Sequence, residues 1–290
     1  MIRQILSRLS PVHKRKLRGW YNESKFALIQ RFRSYDAAAL RNRLREMGIV
    51  SGDALLVHSA YGRFLGFQGS PNELIDTFLE AVGTGGNLLM VSMPFTTSMS
   101  EYLKSTTVFD VRKTPSKMGL LSETFRRRPG VLRSLHPTHP VLACGPKAEW
   151  IVSGHENCSY PCAEGSPFEK LLQLNGKVLF FGVPEFNFTF HHYLEDMVKN
   201  DLPFALYEEQ PHVVKVIDRL GETRSVKVYA FTKDAISRRR LHILLDELAR
   251  RGQMIRTRIG NTRMVLVASA DTVACTKELA RRDVYFFEMA

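Results

Sequence analysis

"GSPNELIDTFLEAVGTGGNLLMVSMPF", residues 69–95, sets a helix directly before a strand. Ser70 reads as the helix cap, Pro71 occupies the first helical position, and Glu73, three residues past the cap, completes a capping box. The apolar run in "GGNLLMVSMPF" then reads as a buried strand. Working outward, "ALLVHSA" (54–60) is a shorter apolar run, a buried strand ending at His58. The same cap returns in "GSPFEKLLQL" (Ser166, Pro167, Glu169), ahead of "GKVLFFGV", another apolar strand. This alternation predicts the α/β class: one domain with a central mixed, largely buried sheet flanked by helices.

The flanks extend that plan. "SYDAAALRNRLREMGI" carries apolar residues at helical spacing and ends before the turn "SGD". From residue 211 the texture changes to "HVVKVIDRLGETRSVKVYAF", two alternating strands around a turn. "KDAISRRRLHILLDELARRG" follows as one amphipathic helix stopped by Gly252, and "TRMVLVAS" and "ADTVACTKELARR" close the chain as strand and helix. A C-terminal hairpin and helix subregion is therefore expected beside the main sheet.

With 290 residues, 44% of them hydrophobic, the chain can bury a substantial core and reads as globular. No stretch reaches the roughly 18 apolar residues of a membrane span, and no secretion signal is recognisable. Cys144, Cys158, Cys162 and Cys275 show no framework spacing, so a reducing cytoplasm is the expected location. Cys158 and Cys162 lack the second pair that a zinc clip needs.

The net charge of +12 is concentrated at the start. Residues 1–33 hold nine Lys or Arg against Glu23 alone, which leaves +4 for the remainder. Ile2, Ile5, Leu6, Leu9, Leu17, Trp20, Phe26 and Phe32 are interleaved with these cations. Residues 1–34 are thus expected to be a basic amphipathic arm and 35–290 the main domain. Such an arm suits an anionic membrane surface, which would place the protein at the periphery of the inner membrane. The alternative is packing on the body or on a second subunit of a homo-oligomer. Nucleic acid is not expected, because no binding module follows.

Three histidines stand at the ends of regular elements: His58, His136 in "RSLHPTHP", and His192 in "TFHHYLED" (189–196). Strand ends converge where open α/β sheets bind ligands. On a helix His192 and Glu195 are i and i+3 neighbours, so the carboxylate can fix the imidazole's tautomer. No G-x-S-x-G elbow, P-loop or strand-following G-x-G-x-x-G occurs, which argues against serine hydrolase, nucleotide triphosphatase and dinucleotide chemistry. A zinc hydrolase using His191, His192 and Glu195 with His58 or His155 stays open, although H-E-x-x-H is missing.

Taken in order, "LLVHSA", "GSPNELIDTFLEAVGTGGNLLMVSMPF", "FDVRKTPSKMGLLSETFRRRPGVLRSLHPTHPVLACG", "GSPFEKLLQLNGKVLFFGV", "TFHHYLE" and "RIGNTRMVLVASADTV" resemble the aminoglycoside 3-N-acetyltransferase family. The resemblance runs from about residue 36 to about residue 285 and rests on the order and spacing of the blocks. It implies an acyltransferase that moves an acyl group from a coenzyme A thioester, such as acetyl-CoA, to an amine, with no metal. Thr189, His192 and Glu195 match the family's T-x-x-H-x-x-E segment, making His192 the catalytic imidazole and Glu195 its partner. His191 falls on a variable position and is expected to be packing.

His58 matches the first-loop histidine and joins the catalytic set. The amides of Ser59 and Ala60 are the expected oxyanion donors. Thr114, Ser116, Met118 and Gly119 of "KTPSKMG" are expected at the coenzyme, with Lys113 and Lys117 either beside it or solvated. His136, Thr189 and Tyr61 are the expected acceptor contacts. Two departures from the family pattern, Ala60 in place of a hydroxyl residue and Pro140 at the end of "RSLHPTHP", bear on the acceptor. Aminoglycosides are polycations, and this chain is not acidic. The expected acceptor is therefore an amino sugar on a nucleotide or glycan, in surface-polysaccharide biosynthesis; antibiotic resistance is the alternative.

Overall fold

A computed structural model of the chain describes residues 10–62 and 64–289. The first nine residues of the basic arm lie outside the described residues. In chain order the elements are α1 (Pro11–Phe32), α2 (Ala37–Glu46), β1 (Ala54–Ser59), α3 (Pro71–Val82), β2 (Asn87–Val91), α4 (Met99–Ser105) and β3 (Val108–Asp110). Next come α5 (Leu120–Arg126), β4 (Leu132–Arg133), β5 (Val141–Cys144), α6 (Ala148–Val152), α7 (Pro167–Gln173), β6 (Lys177–Phe181) and α8 (His191–Val198). The chain closes with β7 (His212–Ile217), β8 (Thr223–Val228), α9 (Lys233–Arg238), α10 (His242–Arg250), β9 (Met254–Ile259), β10 (Thr262–Ala268) and α11 (Ser269–Ala280).

Seven strands form one mixed sheet in the order β4-β5-β2-β1-β6-β10-β9. Its centre, β2-β1-β6, is parallel, and the flanking strands run antiparallel. The central strands are apolar on both faces because helices cover both. Leu55 and Val57 of β1, Met90 of β2 and Leu179 of β6 pack with Leu40 and Leu44 of α2, Phe78 of α3 and Phe125 of α5. Leu56, Val91, Val178 and Phe180 point the other way, into a second core with Phe168, Leu194, Leu248 and Leu279. The period-2 alternation of strand side chains thus fills two layers from one run of apolar residues.

Helix α3 starts as its sequence requires. Ser70 accepts from the Glu73 amide, Glu73 returns the bond to Ser70, and Gly83 closes the helix at φ +66°. The hairpin β7–β8 forms, but it belongs to a separate three-stranded sheet in which β3 pairs parallel to β7.

The expected single helix over 233–250 is two helices. Arg239 between α9 and α10 is extended, at φ −57° and ψ 128°, and bridges to Phe287. That interruption turns the Arg239 side chain inward.

Over its described residues the basic arm is a helix, α1, but not the amphipathic one expected: its apolar residues stand on two sides and are interleaved with its cations. Ile29 is buried against the body and Lys25 lies over the Phe64 ring, while Leu17, Trp20, Tyr21, Leu28 and Phe32 are exposed.

Candidate active site

The parallel strands β1 and β2 deliver their ends to one cavity of about 490 Å³, and Val183, just beyond the end of β6, joins them. Its walls include His58 and Ser59 from β1, Met90 and Val91 from β2, and Lys117, Met118, Gly119 and Ser122 from the loop and first turn of α5. Thr189, His191 and His192 complete it at the start of α8. The sheet's carboxyl edge and one helix terminus therefore meet where the sequence places its histidines.

His192 Nδ1 lies 2.8 Å from Glu195 Oε2. Glu195 is wholly buried, and Arg239 holds it as a fork, with Nε 2.6 Å from Oε1 and Nη2 2.9 Å from Oε2. Burial pushes the Glu195 carboxyl up, yet His191, His192 and Arg239 together outweigh burial and hold it well below the usual carboxylate range. An ionised Glu195 can only accept, so the proton of a neutral His192 sits on Nδ1 and its Nε2 carries the free lone pair. Burial, with His191 and Arg239 adding to it, pushes the His192 imidazolium down to about 3, so the ring is neutral through the physiological range.

The ring is wedged between Phe231, at 4.7 Å centroid distance, and His139, at 5.5 Å. Such packing removes the side chain's rotational freedom before any substrate arrives.

His58 stacks on Phe180 at 5.4 Å, and burial pushes it down to about 4. Its Nε2 has no hydrogen-bond partner among the described residues. A buried polar atom left unpaired costs about 1–3 kcal/mol, a strain that functional sites retain when a ligand supplies the partner.

The expected site residues divide cleanly. His58, Ser59, Met118, Gly119, Thr189 and His192 line the cavity, and Glu195 stands directly behind His192. His136 does not reach the cavity. It is fully buried, bonded to the Cys158 carbonyl at 3.2 Å and stacked on His155 at 4.5 Å, so it braces a neighbouring core. Tyr61 gives its hydroxyl to the Gly69 carbonyl at 2.6 Å and is likewise absent from the lining.

The Ala60 amide already donates to the Phe181 carbonyl at 3.0 Å, which removes it as an oxyanion donor. Thr114 Oγ1 accepts from the Asp110 amide at 2.9 Å. Ser116 Oγ lies 3.0 Å from Ser122 Oγ and accepts from the Met118 amide at 3.3 Å. Thr114 and Ser116 thus shape the loop from inside while Lys117, Met118 and Gly119 face the cavity; Lys113 is not in its lining.

Three residues exceed the sequence reading. His191 lines the cavity and its Nε2 lies 3.5 Å from Glu195 Oε1, so it is more than packing. His139 packs edge-on against His192, and only the histidine-rich "RSLHPTHP" hinted at it. Arg239 was hidden in an apparently continuous helix. His191, His192 and Glu195 together could supply metal-ligating atoms within 4.8 Å of one another. Both Glu195 oxygens, however, already face a guanidinium, so a cation there would have to displace Arg239.

The family model for aminoglycoside 3-N-acetyltransferase matches residues 56–281. Among curated proteins, aminoglycoside N(3)-acetyltransferase III of Salmonella sp is 28% identical over 177 residues, spanning 57% of this chain and 61% of that protein. Aminoglycoside N(3)-acetyltransferase IV of Salmonella sp is 34% identical over 168 residues, 56% of this chain and 59% of that protein. The aligned stretch thus covers less than two thirds of either curated relative's length.

Among solved structures, AAC-IIIb in binary complex with CoASH superposes with a TM-score of 0.73 at 25% identity, over 86% of this chain and 97% of that one. AAC(3)-IVa as the apoenzyme gives 0.69 at 26% identity, over 88% and 92%. Sequence blocks, sheet order and histidine cavity converge: the chain belongs to the aminoglycoside 3-N-acetyltransferase family.

Proposed function

We propose that this protein transfers an acetyl or other short acyl group from a coenzyme A thioester to the amine of an amino sugar. The observation that carries the reading is His192, oriented by Glu195 at 2.8 Å, with its free nitrogen beside a cavity walled by His58, Thr189 and Gly119. A sugar amine is mostly ammonium at neutral pH and must lose protons to attack. Neutral His192 Nε2 accepts the proton released as the C–N bond forms and the C–S bond breaks. The departing sulfur takes up a proton and leaves as the free thiol. A positioned general base contributes roughly 10²–10⁴-fold to such a step. Aminoglycosides are the acceptor class suggested by the relatives, one of which, AAC(3)-IVa, has been solved as a histidine-to-alanine mutant in complex with apramycin.

A second acceptor reading rests on the cavity wall itself. Lys117 is the charged aliphatic residue in the lining, and no Asp or Glu stands among the described lining residues. A polycation gains little there, whereas an amine on a neutral or anionic sugar, such as a nucleotide- or glycan-linked one in polysaccharide biosynthesis, meets no repulsion. Free thiol release from acetyl-CoA should be followed with aminoglycosides and with nucleotide amino sugars, with and without chelator. Release with either amine class supports acyl transfer and identifies the acceptor. No release with any amine, or activity abolished by chelation, would replace this reading with the zinc hydrolase.

The exposed side of α1 supports a finer proposal, reversible attachment to an anionic membrane surface. Leu17, Trp20, Tyr21, Leu28 and Phe32 face solvent among the cations of a helix whose other side is docked through Ile29. A second copy applied to that face would oppose like charges, while an anionic headgroup layer would not.

A further inference from the structure

Away from the histidine cavity, a second cavity of about 400 Å³ is lined by Val111, Arg112, Arg126, Arg127, Val131, Arg133 and Arg219. Five of its seven wall residues are arginines. Glu123 serves two of them, at 2.7 Å from Arg126 and 2.7 Å from Arg127. Arg112 has Asp110 at 3.9 Å, and Arg219 has Glu149, which lines the adjoining cleft. The other acids of that cleft, Glu156 and Asp218, both lie within ion-pair distance of Arg224.

Arg133 is the most telling member. It is 5% exposed and gives its two terminal nitrogens to the carbonyls of Thr114 and Ser92, not to a carboxylate. Its Nε is buried without a partner among the described residues. Burial first, and then the neighbouring Arg126 charge, push its guanidinium down to about 9. Cations assembled at this density raise the energy of the folded state unless something anionic compensates them, and guanidinium forks match phosphate oxygens in geometry.

We propose that the cavity of Arg112, Arg126, Arg127, Arg133 and Arg219 binds a phosphate-bearing anion. The position suits two sources of that chemistry. Helix α5 presents Gly119 and Ser122 at its start to the histidine cavity and Arg126 at its end to the arginine cavity. A ligand with a thioester at one end and phosphates at the other could span it, and a free nucleotide or pyrophosphate could occupy the arginine cavity alone. The site does not depend on the acyltransferase reading, since it rests on charge and burial in a separate cavity.

The test is thermal unfolding of the full chain with inorganic pyrophosphate at constant ionic strength, so that simple screening is held fixed. A ligand at about one hundred times its dissociation constant should raise the transition by several degrees. The R112A/R219A double variant removes two partly exposed arms and leaves buried Arg133 and its carbonyl contacts in place. It should fold with an unliganded transition no lower than the wild type and lose most of the pyrophosphate shift. Should that variant fold poorly, Arg127→Ala, at a side chain 70% exposed, serves in its place and should weaken pyrophosphate binding at least several-fold. A wild-type shift that is absent or reproduced by an equal ionic strength of sodium chloride would overturn the proposal, as would an equal shift in the variants. Given the expected shift, competition by coenzyme A would identify that coenzyme's own phosphates as the source: the 3′-phosphate if 3′-dephospho-coenzyme A fails to compete, the diphosphate if it competes equally. Undiminished pyrophosphate binding under saturating coenzyme A would identify a separate anion.

Discussion

Arg239 grips both oxygens of Glu195, at 2.6 and 2.9 Å, so the carboxylate that orients His192 is itself neutralised by a guanidinium. Glu195 therefore fixes the tautomer of His192 without making it strongly basic. The ring stays neutral at ordinary pH, with its Nε2 lone pair free.

This arrangement has a signed consequence. In R239M the Glu195 charge is uncompensated, and a bare carboxylate favours the imidazolium, so the His192 pKa should rise from its depressed position. Because only neutral imidazole accepts a proton, the acid limb of the kcat–pH profile should move to higher pH, by about one unit or more. Arg239→Lys should restore part of the wild-type profile. A limb that stays in place in R239M would show that Arg239 serves only to hold the fold.

His192→Ala should lower kcat by about 10²-fold or more through loss of the base. His191→Ala should cost less, because His191 meets Glu195 at 3.5 Å where His192 does so at 2.8 Å. Thiol release under saturating substrates measures both. Equal losses would mean that the two rings share the proton transfer.

Acid should destabilise the fold early. Burial lowers the pKa of His58 to about 4 and of His155 and His192 to about 3, and also depresses His136, His139 and His191. As pH falls below about 6.5 the unfolded chain binds protons that the folded chain refuses, so stability is fully present above that value and declines toward pH 3–4. Each such histidine contributes a slope of about 1.4 kcal/mol per pH unit inside that window. Calorimetry between about pH 7.5 and 4.5 should show a continuous fall in Tm, shallower in His155→Gln.

Ser70→Ala should remove the cap of α3, whose Oγ accepts from the Glu73 amide at 3.2 Å. A lost cap in a domain of this size corresponds to a Tm lower by about 2–4 °C. Activity per folded molecule should be unchanged, because α3 lies on the far face of the sheet from the His192 core.

Deleting residues 1–24 keeps Ile29 against the body and removes Leu17, Trp20 and Tyr21 together with the cations Lys14, Arg15, Lys16 and Arg18. The truncated chain should retain turnover on a soluble acceptor within a few-fold and lose co-sedimentation with anionic vesicles at low salt. Vesicles that fail to bring down the intact chain would refute membrane attachment.

Much of the site was legible because its geometry is local. The i, i+3 spacing of His192 and Glu195 on a helix, and the position of His58 at a strand end, are set within a few residues of chain. The capping box at Ser70 and the two-faced apolar strands likewise announced α3, β1, β2 and β6. His136 misled for an instructive reason. A loop histidine before a proline looks available, but whether it faces a cavity or a core depends on what packs over it, here His155 and the Cys158 carbonyl.

The sequence by itself determined the α/β class, the capped starts of α3 and α7 and the His192–Glu195 pair, since each depends on periodicity or on contacts within one turn of chain. Tertiary structure alone decided the rest. It placed β3, roughly a hundred residues before its partner in the chain, beside β7 in a separate sheet. It engaged the Ala60 amide with Phe181, and it brought Arg219 from a distant segment beside Arg112, Arg126, Arg127 and Arg133 around one cavity. It also broke the helix at residue 239, because the bridge to Phe287 and the charge of buried Glu195 together outweigh a local preference for continuing the helix. Helix propensities amount to a few tenths of a kcal/mol per residue, whereas a buried carboxylate left unpaired costs several, and that difference is why Arg239 points into the site.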